Sequence, residues 1–368
     1  MSRYRGRPRY GRSVIAQFPP IEAPSPAASD RADPVDPAAA APPDLNAAGA
    51  LRPLLELGPQ GVGSWPARAR LVVFAADHGI LAVGVSADAG AATGHRLAEL
   101  DVGAGPVAAA ADRAGVRIRT VDLRELLPDP APVARHAAVE DVADLWAGHR
   151  ASGRIDVEDA LTDDEVGRAL QRGRDAADTE VDEGADLLLA GVCSAGVSTP
   201  AAVLSAAITG IEPVDATSRG SGIDDAGWIR KVAAVRDALY RTRLGGTDTA
   251  GLLRVGGGAD LAALTGFLAQ AAVRRTPVLI DDLAGTVCAV LAQRLAPGAD
   301  DWIFVAAPVA DRGHRRLLDV LDRPPLTGLD VRLPSGAAAA LVVSLLRGVA
   351  DVVAQLPAGP PLWDETLL

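Results

Sequence analysis

The sequence predicts an α/β fold built on a mostly parallel sheet with helices on both faces. Three observations carry this. Short, continuous apolar runs recur along the chain, and such runs suit strands covered on both faces. Segments of helical length with recognisable start signals separate them. The polar or glycine-rich clusters follow directly after the apolar runs. In open parallel sheets those strand ends are where ligands bind.

Taken in order, residues 1 to about 45 are rich in Pro, Ala, Asp and Ser. Such a stretch buries too little apolar surface to offset its ordering entropy, so it reads as a disordered tail. A short helix from Ala47 to Leu57 leads into the fold. The first strand is Leu71 to Ala75, ending in Asp77-His78-Gly79. One helix is expected from about Leu97 to Ala114, then a strand from Val116 to Val121. Residues 124 to 155 have no clear period. Thr162-Asp163-Asp164-Glu165 has the form of a capping box and opens a helix to about Asp182. The third strand, Leu187 to Ala190, runs into Gly191-Val192-Cys193-Ser194-Ala195-Gly196. Thr199-Pro200 opens the next helix, with Pro in its tolerated first turn. Gly256-Gly257-Gly258 precedes a helix from about Asp260 to Arg274. Pro277 to Ile280 is the fourth strand, ending in Asp281-Asp282, and Trp302 to Val305 is the fifth. A helix near Gly313 to Leu321 follows. Arg332 to Gly336 introduces a last Ala- and Leu-rich helix, and residues 356–368 are a tail.

Composition narrows the function. The formal charge is −11 over 368 residues, with no basic stripe in the body, which argues against nucleic acid as a partner. Positive charge clusters at Arg3, Arg5, Arg7, Arg9 and Arg12, either a polyanion tether or a solvated tail. The two cysteines, Cys193 and Cys288, form no CxxC and have no His-rich neighbours, so no metal site is expected and reduced thiols in the cytoplasm are the default. No apolar h-region follows the Arg-rich start, and the longest apolar run, Ala337 to Leu346, is too short to span a bilayer.

Thr217 to Lys231 is the most informative loop. Gly220 and Gly222 let the backbone turn and approach a ligand closely. Asp224 is a good N-cap, and the free N–H groups at the helix start favour an anion, above all phosphate. Arg219 and Lys231 add positive charge, whereas Asp224 and Asp225 count against a bare phosphate site. A capped surface loop is the plain alternative.

Further markers lie in fixed order. They are Phe74 to Gly79 with Gly84-Val85-Ser86, then Arg219-Gly220-Ser221-Gly222-Ile223-Asp224-Asp225 with Lys231. Val255-Gly256-Gly257, Pro277 to Asp281, Gly313-His314 and Arg332-Leu333 before Gly336 complete the set. This ordered set resembles the nicotinate-nucleotide:5,6-dimethylbenzimidazole phosphoribosyltransferases. The resemblance implies a doubly wound α/β domain over residues 46 to 355, with a smaller helical unit made from its N- and C-terminal helices. It also implies a homodimer, no cofactor, and transfer of phosphoribosyl from nicotinate mononucleotide to a benzimidazole-type base.

By the same resemblance Gly196, Ser198, Thr199, Arg219, Gly220, Ser221, Gly222, Lys231 and Asp281 hold the phosphoribosyl donor. Asp77, His78, Ser86 and Leu333 lie near the base. Asp77 and His78 equally suit a pair that orders the rim. Ser86 equally suits a turn hydroxyl, and Lys231 a solvated helix lysine. His314 reads as structural.

The chain departs from the family pattern where proton handling matters. The family's C-terminal loop reads Arg-Leu-Gly-Glu-Gly, its Glu being the base, whereas this chain has Pro334-Ser335-Gly336. A hydroxyl is too weak an acid–base group to stand in unaided. Losing the base costs roughly 3–5 kcal/mol of transition-state stabilisation. In the loop after the third strand, Val192 and Val197 stand where the family has Glu and Asn. Asp282, where the family has Gly, is the candidate substitute base, with an exposed acid after a strand as the alternative. The first expectation is a divergent transferase. The others are a non-catalytic nucleotide- or base-binding relative and an enzyme with a different acceptor.

Overall fold

The computed structural model describes residues 17–24, 49–58, 65–88, 91–127, 151–220 and 222–355. Its elements run α1 (Arg52–Leu55), β1 (Ala69–Ala75), α2 (Ala92–Asp101), α3 (Gly105–Arg113), β2 (Arg117–Asp122), α4 (Asp163–Asp182) and β3 (Leu187–Val192). They continue α5 (Ser198–Thr209), α6 (Pro213–Ala216), α7 (Asp225–Gly245), α8 (Thr249–Gly256), α9 (Ala259–Val273), β4 (Val278–Ile280) and α10 (Leu283–Leu295). The chain ends through β5 (Ile303–Val305), α11 (Arg312–Leu321) and α12 (Ala337–Val353).

The five strands form one parallel sheet in the order β2-β1-β3-β4-β5. Every residue of β1 and of β3 is buried, as their continuous apolar runs require. Alternate side chains feed two cores. Val72, Phe74, Leu188, Ala190, Val278 and Ile280 pack with α4, α5, α9 and α10. Leu71, Val73, Leu187, Leu189 and Leu279 pack with α1, α3 and α12 on the other face. The N- and C-terminal helices, expected as a smaller helical unit, thus meet over the second face of the sheet.

The order of strands reverses between β1 and β3, so the crevice beyond their carboxyl ends is the switch point where such sheets take ligands. The capping box of α4 forms as expected: Thr162 N donates to Glu165 Oε2 at 2.7 Å and Glu165 N to Thr162 Oγ1 at 3.3 Å.

Three expectations are corrected. The single helix over 97 to 114 is two, α2 and α3, because Pro106 in the first turn of α3 starts a new helix and disfavours helical geometry just before it. α8 and α10 have no counterpart in the periodicity, since most side chains of both are buried, Ala284 to Ala292 of α10 without a break. Within the expected tail, residues 17–24 dock on the fold. Phe18 lies 4.6 Å under the Arg174 guanidinium, Ile21 packs on the first core, and Glu22 O accepts from Trp302 Nε1 at 3.1 Å. Two large apolar side chains in eight residues suffice to hold this stretch. The Arg-rich start and residues 356–368 lie outside the described residues.

Candidate functional site

The rim begins where β1 runs into Asp77 and His78, both buried. His78 Nε2 donates to Asp260 Oδ2 at 3.0 Å, and Ser152 Oγ lies 3.4 Å from Nδ1. Burial alone would pull the His78 imidazole down, but the Asp260 carboxylate outweighs it and holds the ring above its usual range. Burial would likewise raise Asp260. His78, the Ser194 hydroxyl and Leu261 N–H outweigh that, so its pKa is lowered. Ser194 Oγ accepts from Ala76 N at 2.9 Å, which ties the ends of β1 and β3 together. Burial raises Asp77, whose Oδ1 has no hydrogen-bond partner among the described residues.

Ser86 sits half-buried in the following loop. Its Oγ donates to Asp88 Oδ2 at 3.2 Å. Asp88 in turn pairs with Arg96 at 2.6 Å, and Arg96 Nη1 donates to Cys193 O at 3.3 Å. The Ser86 loop is thereby strapped to the loop after β3. Burial raises the Cys193 thiol to about 12, so it is no nucleophile at neutral pH.

Lys231 of α7 crosses to the other side of that loop. It is 0% exposed; its Nζ donates to Ser198 Oγ at 2.9 Å and to Ser218 O at 3.1 Å. Ser198 and the fully buried Thr199 open α5, so the ammonium stands at the positive end of a helix dipole, where Thr199 N is already taken by Gly196 O at 3.1 Å and Pro200 has no N–H. Burial lowers Lys231 to about 8, with Asp311 pulling against it. Gly220 has φ +32°, and a Cβ there would lie 3.3 Å from both Lys231 Nζ and Ser198 Oγ. Only a residue without a side chain leaves room for a ligand against that ammonium. Gly222 faces Ala87, 3.9 Å from its would-be Cβ, which brings the glycine loop beside Ser86. Arg230 reinforces this by donating to Gly84 O at 3.2 and 3.1 Å.

Other expected residues lie elsewhere. Arg219 is 55% exposed and pairs with Asp225 on the surface. Ser221 lies outside the described residues. Leu333 is 43% exposed on the loop before α12. His314 is buried with Nε2 unpartnered among the described residues, and burial lowers it to about 4.

Asp281 caps α12: Oδ1 accepts from Gly336 N at 2.8 Å and Oδ2 from Ala339 N at 2.9 Å. Burial, then the neighbouring Asp282 charge, pushes it up to about 7. Asp282 caps α10 through Gly285 N at 2.6 Å; burial raises its pKa, against which the Gly285 N–H and the Ser335 hydroxyl favour the ionised form.

The residues unassigned from sequence are Asp260, Thr93 and Asp311. Asp311 caps α11, accepting from His314 N at 3.1 Å, and faces Lys231 electrostatically. Its Asp-x-x-His spacing at a helix start is the signal that could have found it. Among the described residues no group of three or more His, Cys, Asp or Glu is arranged to hold a metal, and no helix is long and apolar enough to cross a membrane.

Comparison with known proteins identifies the family and the fold. A family model described as phosphoribosyltransferase matches residues 60–358. The nicotinate-nucleotide–dimethylbenzimidazole phosphoribosyltransferase of Mycobacterium tuberculosis is 46% identical over 289 residues, 78% of either chain. Its counterpart from Mycobacterium avium is 47% identical over 78% of this chain and 80% of its own. Among solved structures, CobT from Thermus thermophilus superposes with a TM-score of 0.70 at 31% identity, covering 84% of this chain and 89% of its own. With the fold and these relatives in agreement, the chain belongs to the phosphoribosyltransferase family of those enzymes.

Proposed function

We propose that the chain transfers phosphoribosyl from nicotinate mononucleotide to a benzimidazole-type base. The observation that carries this reading is the buried Lys231 ammonium between Ser198, Ser218 O and Gly220 at the start of α5. A phosphoryl group there meets one cation and the positive end of the α5 dipole. Gly196, Thr199 and Gly222 complete that cradle, and the acceptor lies toward Ser86.

The pyridinium of the donor is a good leaving group, so positioning C1′ against the acceptor nitrogen supplies much of the acceleration. A homodimer is supported by apolar side chains left exposed along α12, Leu341, Leu345 and Val352. A cytoplasmic location is supported by the two free thiols, Cys193 and Cys288. The second reading is a nucleotide-binding relative without turnover, favoured by a hydroxyl, Ser335, in the loop that leads into α12.

Incubation with nicotinate mononucleotide and dimethylbenzimidazole separates the two. Nicotinate release is expected. Saturable mononucleotide binding with no release would overturn transfer in favour of the second reading.

A further inference from the structure

Two adjacent carboxylates end β4, and their surroundings differ. Asp281 is 7% exposed and both its oxygens accept backbone N–H groups of α12. It is a helix cap, buried against the start of α12. Asp282 is partly open; one oxygen accepts from Gly285 N, and the nearby Ser335 hydroxyl favours the ionised carboxylate.

Ser335 Oγ itself accepts from Val192 N at 3.0 Å, which fixes the hydroxyl at the end of β3. A Cβ on Gly191 would lie 2.9 Å from that Oγ. Glycine thus lets the loop before α12 seat directly on the end of β3, one of the two strands that flank the crevice. The titratable groups facing Asp282 are Asp281 from its own strand end and Cys288 from α10.

The geometry points to Asp282 as the group that takes the proton of the acceptor base during phosphoribosyl transfer, with Ser335 as its positioning residue. This rests on the transfer reading above. In the step, the unprotonated azole nitrogen forms a bond to C1′. The C1′–pyridinium bond breaks, and its electron pair returns to the ring nitrogen of the departing nicotinate. The azole N–H proton passes to the Asp282 carboxylate and then to water. Nothing is oxidised or reduced. Burial raises Asp282 above the ordinary carboxylate range, which brings a base closer to working pH.

The test is nicotinate release against pH, from about 5 to about 9, a span that brackets carboxylate and azole ionisation. Asp282→Asn keeps the α10 cap, because Asn caps as well as Asp. It is expected to slow turnover about 10²-fold or more, erase the acid limb and leave mononucleotide affinity unchanged within about twofold. Ser335→Ala removes a donor that favours the ionised form, so the acid limb moves to higher pH. Adding Ser335→Glu to Asp282→Asn returns a carboxylate to the same corner and is expected to restore rate. Asp282→Asn with parental turnover and a parental acid limb overturns the proposal alone. A parent that binds mononucleotide but never releases nicotinate overturns the transfer reading and this proposal together.

Discussion

The Lys231 corner and the Asp281–Asp282 corner both bury charge, of opposite sign and by opposite means. The ammonium has one hydroxyl and one backbone carbonyl, which leaves its third N–H without an acceptor among the described residues. The carboxylates are met by the N-termini of α12 and α10, whose N–H groups and dipoles offset negative charge. One corner is short of an anion, whereas the other is short only of a proton. A ligand carrying phosphate therefore gains most at Lys231. The acid corner contributes once bonds begin to change.

The largest expected effect tests the first half of that contrast. Lys231→Met keeps the length of the side chain and removes the charge. Charge-assisted hydrogen bonds contribute about 1.5–3 kcal/mol, so mononucleotide affinity is expected to fall by up to about 10²-fold in calorimetric titration. Because burial lowers Lys231 to about 8, parental affinity weakens as pH rises through that value, and the variant lacks this dependence. Binding within about threefold of the parent would break the comparison.

His314 tests how far burial of charge reaches behind the cradle, since it lies in the first turn of α11, whose cap Asp311 faces Lys231. Its folded pKa, about 4, lies below the ordinary histidine value because the ring is buried. The unfolded chain therefore binds the proton first. Stability from this group is complete above pH 6.5 and is lost as pH falls toward 4, on the order of 3 kcal/mol. Denaturant titrations at a series of pH values are expected to show that slope in the parent and less of it in His314→Gln. Equal slopes would place the acid sensitivity elsewhere.

Much of the fold is readable in the sequence because buried parallel strands leave uninterrupted apolar runs, as at Leu71–Ala75 and Leu187–Ala190. Helices buried all round, such as α10, leave no period to read. The cradle is readable for a local reason: glycines at 220 and 222 and a lysine one helical stretch later share a single segment. Arg219 shares that segment too, yet pairs with Asp225 instead, a choice set by side-chain packing and not by spacing. Ser335 and Asp282, whose ionised form that hydroxyl favours, come from two loops that only the sheet brings together. The link from Lys231 to Asp311 is tertiary in the same way.

The smallest expected effect separates the two glycines of that segment. Both have positive φ, +32° at Gly220 and +73° at Gly222, so an Ala at either carries about 1–2 kcal/mol of backbone strain. They differ in what a Cβ would meet. At Gly220 it would stand 3.3 Å from the Lys231 ammonium and from Ser198 Oγ, in the space a phosphoryl oxygen would need. At Gly222 the nearest atom is Ala87 Cβ at 3.9 Å, an ordinary contact. Gly220→Ala is therefore expected to weaken mononucleotide binding about tenfold, roughly the value of one lost hydrogen bond to a charged group. Gly222→Ala is expected to weaken it less, with similar losses of thermal stability in both. Equal affinities for the two variants would mean that the ligand does not approach the ammonium past Gly220, and the phosphate would then have to be sought on another face of α5.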